Sequence, residues 1–426
     1  MVKFFIVIVF VLISSVSRAE LFIEITQGKQ SAMPIAVVPF AWHGAAPLVE
    51  DISTIVQNNL SNSGYFRTLA PSGMISQPTR VEDVVFNDWQ RLRQDFVLLG
   101  RIDQTEQGYA IEFHVLDVHQ RVEILRHRVR GSEGQLRDLA HYISDFVFER
   151  LTGVPGVFST KLVYVTTNRE RTQFNLNYAD ADGAREQLIF TSRHPIISPA
   201  WSPDGRQIAY VSFESGRSEI FIQTLATGQR EKVAAFPGSN SAPAFSPDGK
   251  KLAFVRSEMG NPEIYVLDLS SRQLERITNH FAIDTEPQWM PDGRNIIFTS
   301  NRAGGPQIYN VDIHSKQTRR LTFEGSYNAR ARVTPDGRKM VYVHQSSGRF
   351  HIAAQDMQSG MVQILTTDTE LDESPSVAPN GSMVIYAASE RNRSILAAVS
   401  VDGEVKFRLP SKYGDVREPA WSPILR

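Results

Sequence analysis

The sequence predicts an α/β N-terminal domain followed by an all-β six-bladed propeller, closed by a blade shared between N- and C-terminal strands. Three observations predict it. First, "PAWSPDGRQIAYVS" at 199–212 returns as "PAFSPDGKKLAFVR", "PQWMPDGRNIIFTS", "ARVTPDGRKMVYVH" and "PSVAPNGSMVIYAA". These repeats begin at Pro199, Pro243, Pro287, Ala331 and Pro375, 44 residues apart, and "PAWSPILR" starts a further one at Pro419. A β-type repeat of about 40–45 residues has the length of one propeller blade. Second, "KLVYVT", beginning at Lys161, matches the second strand of the repeat with no "PAWSP" before it, so the final "PAWSP" supplies the missing inner strand. Closing the ring in this way leaves no unpaired edge. Third, residues 34–153 lack the repeat and mix strand-like with helix-like patterns.

In chain order, residues 1–19 carry Lys3, an apolar run from Phe4 to Ile13, and the small residues Ser17 and Ala19 around Arg18. This pattern predicts a secretory signal peptide, because the apolar run is too short to cross a bilayer. Residues 20–33 form a separate N-terminal segment in which Leu21, Ile23 and Ile25 alternate with Glu24 and Thr26. This reads as a strand, either an edge strand of the first domain or a segment kept for a partner.

Within the α/β domain, 34–153, "PIAVVPF" is a buried strand. Pro47 at a first helical position opens a helix with Leu48, Ile52, Ile55 and Leu60 on one stripe, stopped by Gly64. Further strands follow in "FVLLG", "YAIEFHVLDV" and "EILRHRVRG". Ser132 and Gln135 form a capping box for a last helix, apolar at Leu136, Leu139, Ile143 and Phe146 and ended by Gly153. "TGVPG" leads into the propeller, 154–426.

Each repeat divides into four strand-like runs separated by turn residues, with the Asp-Gly of "SPDG" marking a hairpin turn. Asp204, Asp248, Asp292 and Asp336 therefore read as turn caps rather than as a ring of acids for metal or acid–base work. Because a meander alternates ends, the "PDG" turns share one face of the propeller and the loops leading into each inner strand share the other. Those loops vary ("GSNSA", "AIDTE", "SYNAR", "ELDES", "GDVRE"), and variable loops on a rigid frame are where binding resides.

Composition narrows the function. Hydrophobic residues at 42% and charged residues at 21% fit a globular chain. Losing Lys3 and Arg18 with the leader leaves 43 basic against 46 acidic side chains, a balance that disfavours nucleic acid. There is no cysteine, so an exported chain must rely on core size rather than disulfides. No nucleophile-elbow, zinc or phosphate-loop motif occurs. His114 and His119, read as lying on one strand, face opposite sides, and "DADG" at 180–183 lacks the remaining ligands of a calcium loop. The expectation is a non-enzymatic protein without cofactor or metal, although Asp284, Glu286, Asp372, Glu373 and Glu418 form an acidic mouth that leaves a cation open.

The words "PIAVVPF", "ERLTG", "PAWSPDG", "SFESGRS", "IQTLATG", "APAFSPDG", "TEPQW", "QDMQSG", "LDESPS" and "APNG" together resemble the TolB family of the Tol–Pal system across essentially the whole chain. The resemblance implies a periplasmic scaffold linking the outer-membrane lipoprotein Pal to inner-membrane TolA, serving outer-membrane integrity and envelope constriction at division. Other envelope lipoproteins are further implied partners, and the membrane is reached only through partners. It implies Pal binding by Asn240, Ala242, Asp284, Thr285 and Glu286, and TolA binding by Glu20, Leu21, Phe22, Ile23, Glu24, Ile25 and Thr26. Family members can carry a histidine where this chain has Ser239. The alternative is the regulatory propeller of a prolyl-oligopeptidase-type serine peptidase, lacking its hydrolase domain.

Overall fold

A computed structural model describes residues 24–27, 31–44, 47–258, 260–390, 393–409 and 414–425. The predicted signal peptide and Glu20, Leu21, Phe22 and Ile23 lie outside the described residues.

The N-terminal domain is a mixed sheet packed against two helices, α1 (Ile52–Asn62) and α3 (Leu136–Thr152), with a short α2 (Phe86–Arg91) elsewhere. Strand Met33–Val37 lies parallel between Phe66–Leu69 and Phe96–Thr105; the long hairpins Gly108–Asp117 and Val122–Gly131 extend the sheet antiparallel. Ile35, Val37, Leu98, Phe113 and Val115 meet Ile52, Val56, Leu60, Ile143 and Val147 in one core. Helix α1 starts later than the sequence suggests. Asp51, not Pro47, ends the preceding chain, and its carboxylate accepts from Thr54 N and from the Ser53 and Thr54 hydroxyls. The capping box is present: Gln135 Oε1 accepts from Ser132 N at 2.9 Å, ahead of a single tight turn that runs into α3. Phe146 departs from the expected stripe; it is exposed and stacks on His127 at 4.2 Å between ring centres. His119 lies beyond the strand, bonded to Asp95 at 3.0 Å.

The repeats form four-stranded antiparallel meanders. Ile196–Trp201, Gln207–Ser212, Glu219–Thr224 and Arg230–Ala234 make one of them, and the next two follow the same plan. Asn328–Val333 and Leu371–Val377 each open a further meander, and one parallel pair, Phe350 with Leu371, joins these two into a larger sheet. The last strand, Asp415–Trp421, pairs antiparallel with Lys161–Thr167 as the inner strand of the first meander. The turn aspartates bind their own turns: Asp204 and Asp248 each accept a serine hydroxyl at 2.6 Å and a backbone N–H at 3.1 Å.

Each inner strand carries one bulge at the same place. The ladder shifts register between 197 and 200, and again at 241/244, 285/288, 329/332, 373/376 and 417/420. At each shift a non-glycine residue is left-handed: Ser198, Ala242, Glu286, Arg330, Ser374 and Glu418, with φ from 50° to 56°.

The N-terminal domain sits on the end that carries the Pro-Asp-Gly turns. Asn380 of "APNG" donates to Pro155 O at 2.7 Å, and a buried ion network joins α3 to the first meander. Asp180 is met by Lys161 Nζ (2.6 Å), Arg185 Nε (2.8 Å) and Arg137 Nε (3.2 Å); Arg137 also holds Asp182 at 2.5 Å. Strand Glu24–Gln27 is neither an edge strand of the first domain nor free of the chain: it adds antiparallel to Lys406–Leu409, the outermost strand of the last complete meander.

Two outcomes follow. Removing residues 419–426 takes away the pairing of Ala420 and Trp421 with Val163 and Leu162 and the Trp421 indole bond to Thr160 (2.8 Å), exposing half of that strand edge, so the truncated protein should aggregate at temperatures where the full chain is soluble by light scattering. The second concerns Asp180. Burial alone would raise its carboxyl, but His141, Arg185 and Lys161 outweigh burial and hold it well below the carboxylate range. Its contribution is therefore present above the unfolded value near 4 and lost as pH falls below that value. Asp180→Asn should cost about 3–5 kcal/mol at pH 7. In calorimetric melts the gap to wild type should be constant from pH 8 to 5 and narrow below about pH 4.

Candidate functional site

The end of the propeller away from the N-terminal domain is formed by the loops leading into the inner strands. What shapes four of the six is a polar residue, two positions before the left-handed one, that points inward; Ile196 and Val416 hold that position in the other two. Asn240, Asp284, Asn328 and Asp372 occupy this position, and all four are buried. Asn240 donates to Phe236 O at 2.8 Å and accepts from Phe236 N. Asp284 is clasped by both bonds of Arg302 Nη2, at 2.8 and 3.0 Å. Asn328 bonds Gln307 and Glu324 O, and Asp372 receives the hydroxyls of Thr366 and Thr369 at 2.5 Å each. Burial raises the Asp284 carboxyl, and burial pushes Asp372 up to about 6 against its two threonine bonds.

The five residues expected at a Pal surface thus fall into two groups. Asn240 and Asp284 tie the loops down from within. Ala242 and Glu286 line the channel mouth as left-handed residues, and Thr285 stands half-buried beside Glu286 in the strand. Of the segment expected at TolA, the backbone of Glu24, Ile25 and Thr26 is engaged in the strand on Lys406–Leu409.

The acidic mouth is not an open cation site. Asp284 and Asp372 are turned inward, and Arg330 fills the space between Glu286 and Glu418. Its Nε meets Glu286 at 2.7 Å, its Nη1 meets Glu418 at 3.4 Å, and Ser374 Oγ completes the clasp. Burial would lower this guanidinium; the carboxylates of Glu418 and Glu286 outweigh burial and raise it. At the domain boundary His141, Asp180 and Asp182 also bring three possible ligand atoms together. Arg137, Lys161 and Arg185 already neutralise those carboxylates, which leaves no place for a further positive ion.

Three exposed apolar side chains were not anticipated. Phe281 is 87% exposed, Phe323 74% and Ile283 49%, on two successive loops of the open end. Phe281 stacks on His280 (4.2 Å), and Arg320 lies over Phe323 (5.1 Å). Their signal in the sequence was an apolar residue inside a loop, outside any strand alternation. Large rings held in water on neighbouring loops fit a protein-binding surface.

The described residues include no helix long and apolar enough to cross a membrane. The family described as the TolB beta propeller domain matches residues 148–425, and the TolB amino-terminal domain family matches residues 21–124. A "Tol-Pal system protein TolB" of Alcanivorax borkumensis is 50% identical over 229 residues, 53% of this chain and 52% of the relative. Its namesake in Marinomonas sp. is 53% identical over 232 residues, 54% of each chain. The chain spans about half the length of these curated relatives in the matched stretch. The crystal structure of TolB from Acinetobacter baumannii superposes with a TM-score of 0.88 at 42% identity, covering 95% of this chain and 100% of that one.

The loop anchors and the exposed rings should separate cleanly on substitution. Asp284→Ala removes a buried carboxylate from partly buried Arg302 and should cost about 3 kcal/mol in urea unfolding. Phe281→Ser, on a ring already in water, should leave the unfolding midpoint unchanged within about 0.5 kcal/mol.

Proposed function

The chain belongs to the TolB family, and from that premise we propose that it is a non-enzymatic periplasmic scaffold of the Tol–Pal system. On this reading it links the outer-membrane lipoprotein Pal to inner-membrane TolA, for outer-membrane integrity and constriction at division. The observation that carries the proposal is polarity of the molecule. One end of the propeller is occupied by the chain's own N-terminal domain, and the other presents anchored loops with Phe281, Ile283 and Phe323 in water.

The propeller, residues 154–426, is read as six blades. The 44-residue spacing and the pairing of Asp415–Trp421 with Lys161–Thr167 support a ring closed by a shared blade. The α/β domain, 34–153, covers one side. Pal is assigned to the loop end: Ala242, Thr285 and Glu286 at the mouth make contact, Asn240 and Asp284 fix the loop shapes, and the exposed rings add the apolar centre. A rigid cluster of this kind concentrates binding energy in a few aromatic residues.

TolA is assigned to the segment 20–26. Its apolar alternation suits addition to a partner's sheet edge, with backbone bonds giving affinity and alternate side chains giving specificity. The strand on Lys406–Leu409 is the same mode satisfied internally, so TolA competes with the chain's own edge. Short and terminal, the segment can be exchanged without opening either core.

Calorimetry on the mature protein tests both assignments. The double substitution Phe281→Ser with Phe323→Ser should weaken Pal by at least thirtyfold, about 2 kcal/mol, and leave TolA affinity unchanged. A protein beginning at Ala32 should bind Pal and lose TolA. Full Pal affinity in the double variant removes the loop end as the Pal surface, and full TolA affinity in the shortened protein removes the segment.

A further inference from the structure

The inner strands build a channel with two levels of side chains. The left-handed residues stand at the mouth. Two positions further along each strand, the second level is Ala200, Ala244, Gln288, Arg332, Ser376 and Ala420. Three neighbouring strands thus supply polar groups to one wall, and the other three supply alanine. The cavity between them measures about 280 Å³.

Charge is matched at the mouth and unmatched below it. Both carboxylates at the mouth are committed. Glu286 accepts from Arg330 Nε, from Arg330 N (3.0 Å) and from Thr299 Oγ1 (2.9 Å); Glu418 accepts from Arg330 and, at 3.4 Å, from Ser198 N. Arg332 has no such partner. Its Nη1 donates to Ala331 O at 2.9 Å, and among the described residues no carboxylate pairs with it. Burial pushes its guanidinium below the ordinary arginine range and Arg330 adds to that, outweighing the opposing pull of the Glu286 and Glu418 carboxylates at the mouth. A cation with no carboxylate paired to it in a confined channel is costly, and a bound anion lowers the cost.

The neighbours of Arg332 suit an anion. Ser376 Oγ accepts from Trp421 N at 2.9 Å, which leaves its own proton free to donate. The amide of Gln288 spends only a long 3.4 Å bond on Trp289 O. We propose that the channel binds an oxyanion, a carboxylate or phosphate group, held by Arg332 with Ser376 and Gln288 against the alanine wall. Its source is either a free anion or a carboxylate of a polypeptide seated over the mouth.

Inorganic phosphate is the probe, titrated into the mature protein by calorimetry at constant ionic strength. Saturable binding and a raised Tm are expected, and Arg332→Gln should lose on the order of tenfold or more in affinity while Arg332→Lys keeps part of it. Phosphate-induced amide shifts in the wild-type protein should cluster around residues 288, 332 and 376, which locates the site even where Arg332→Gln fails to fold. These arms do not rest on the scaffold reading. Repeating the Pal titration separates the sources: phosphate and Arg332→Gln both weaken Pal where a partner carboxylate fills the site, and neither does where the anion is free. The proposal is overturned by an absence of saturable phosphate binding together with unchanged Pal affinity in Arg332→Gln. Phosphate binding that persists undiminished in that variant, or shifts confined to other residues, overturns it equally.

Discussion

The bulge in each inner strand is the constraint on which the rest of the structure depends. An L-residue in the left-handed region costs on the order of 1 kcal/mol or more, and glycine relieves that cost. Here six such positions hold Ser, Ala, Glu, Arg, Ser and Glu. Glycine would relieve the backbone but leave the mouth without side chains. Repeating the bulge also fixes where each strand leaves the ladder, so the loop before it starts from the same point in every meander. The inward polar anchors, Asn240, Asp284, Asn328 and Asp372, act on that fixed start and set loop shape. Channel lining, loop anchoring and surface presentation are three consequences of one backbone geometry.

The second determinant is the ion network at the domain boundary. Two domains joined by a short linker ordinarily move against each other unless their interface is strong. Here α3 contributes Arg137, Asp138 and His141, and the first meander contributes Lys161, Asp180, Asp182 and Arg185. Asn59 Nδ2 donates to His141 Nδ1 at 2.9 Å, which fixes the proton on Nε2, 3.5 Å from Asp180. Nearby, Asp145 accepts the N–H groups of Phe158 and Ser159 at the start of the propeller, and burial raises its carboxyl to about 6 against those bonds. Breaking one member leaves others buried and unpaired, so the network holds one orientation. That orientation gives the molecule an occupied end and an open end.

Much of this was legible in the sequence, and the gaps have physical causes. Period, turn chemistry and the orphan "PAWSP" specified the meanders and the pairing of the last strand, because hairpin turns and alternation are local. Helix α1 starts later than expected because Pro47 and Asp51 both signal a helix start, and the bond that Thr54 N donates to the Asp51 carboxylate decides between them. Inner strands begin earlier than the repeat starts suggest, at Asn240 rather than Pro243, because the bulge breaks the period with residues that are not glycine. Asp284 reads as a surface acid in a variable loop, since only the fold brings Arg302 to it. Arg330 was invisible for the same reason: its partners, Glu286 and Glu418, lie 44 and 88 residues away.

The partner of the N-terminal strand is also non-local, and it joins that strand to a loop of the open end. Strand Lys406–Leu409 receives Glu24–Gln27 along its outer edge. The same strand carries Lys406 and Arg408, which reach Asp368 at 3.5 and 3.9 Å, and Arg408 also meets Glu390 at 3.2 Å. Asp368 belongs to the loop that leads into Leu371–Val377, where Thr366 and Thr369 fasten Asp372. One outer strand is therefore touched by the terminal segment on one edge and by an open-end loop through its side chains. A ligand that moved Asp368 would change the environment of Lys406 and Arg408, and with it the stability of the added strand. By linkage, displacing the strand alters affinity at the loop by the same factor. Exposed ion pairs of this kind are worth about 0–1 kcal/mol each, so coupling through this route is severalfold rather than all-or-none. A switch of larger size requires the loop itself to change shape, and the buried anchor at Asp372 is the element that resists it.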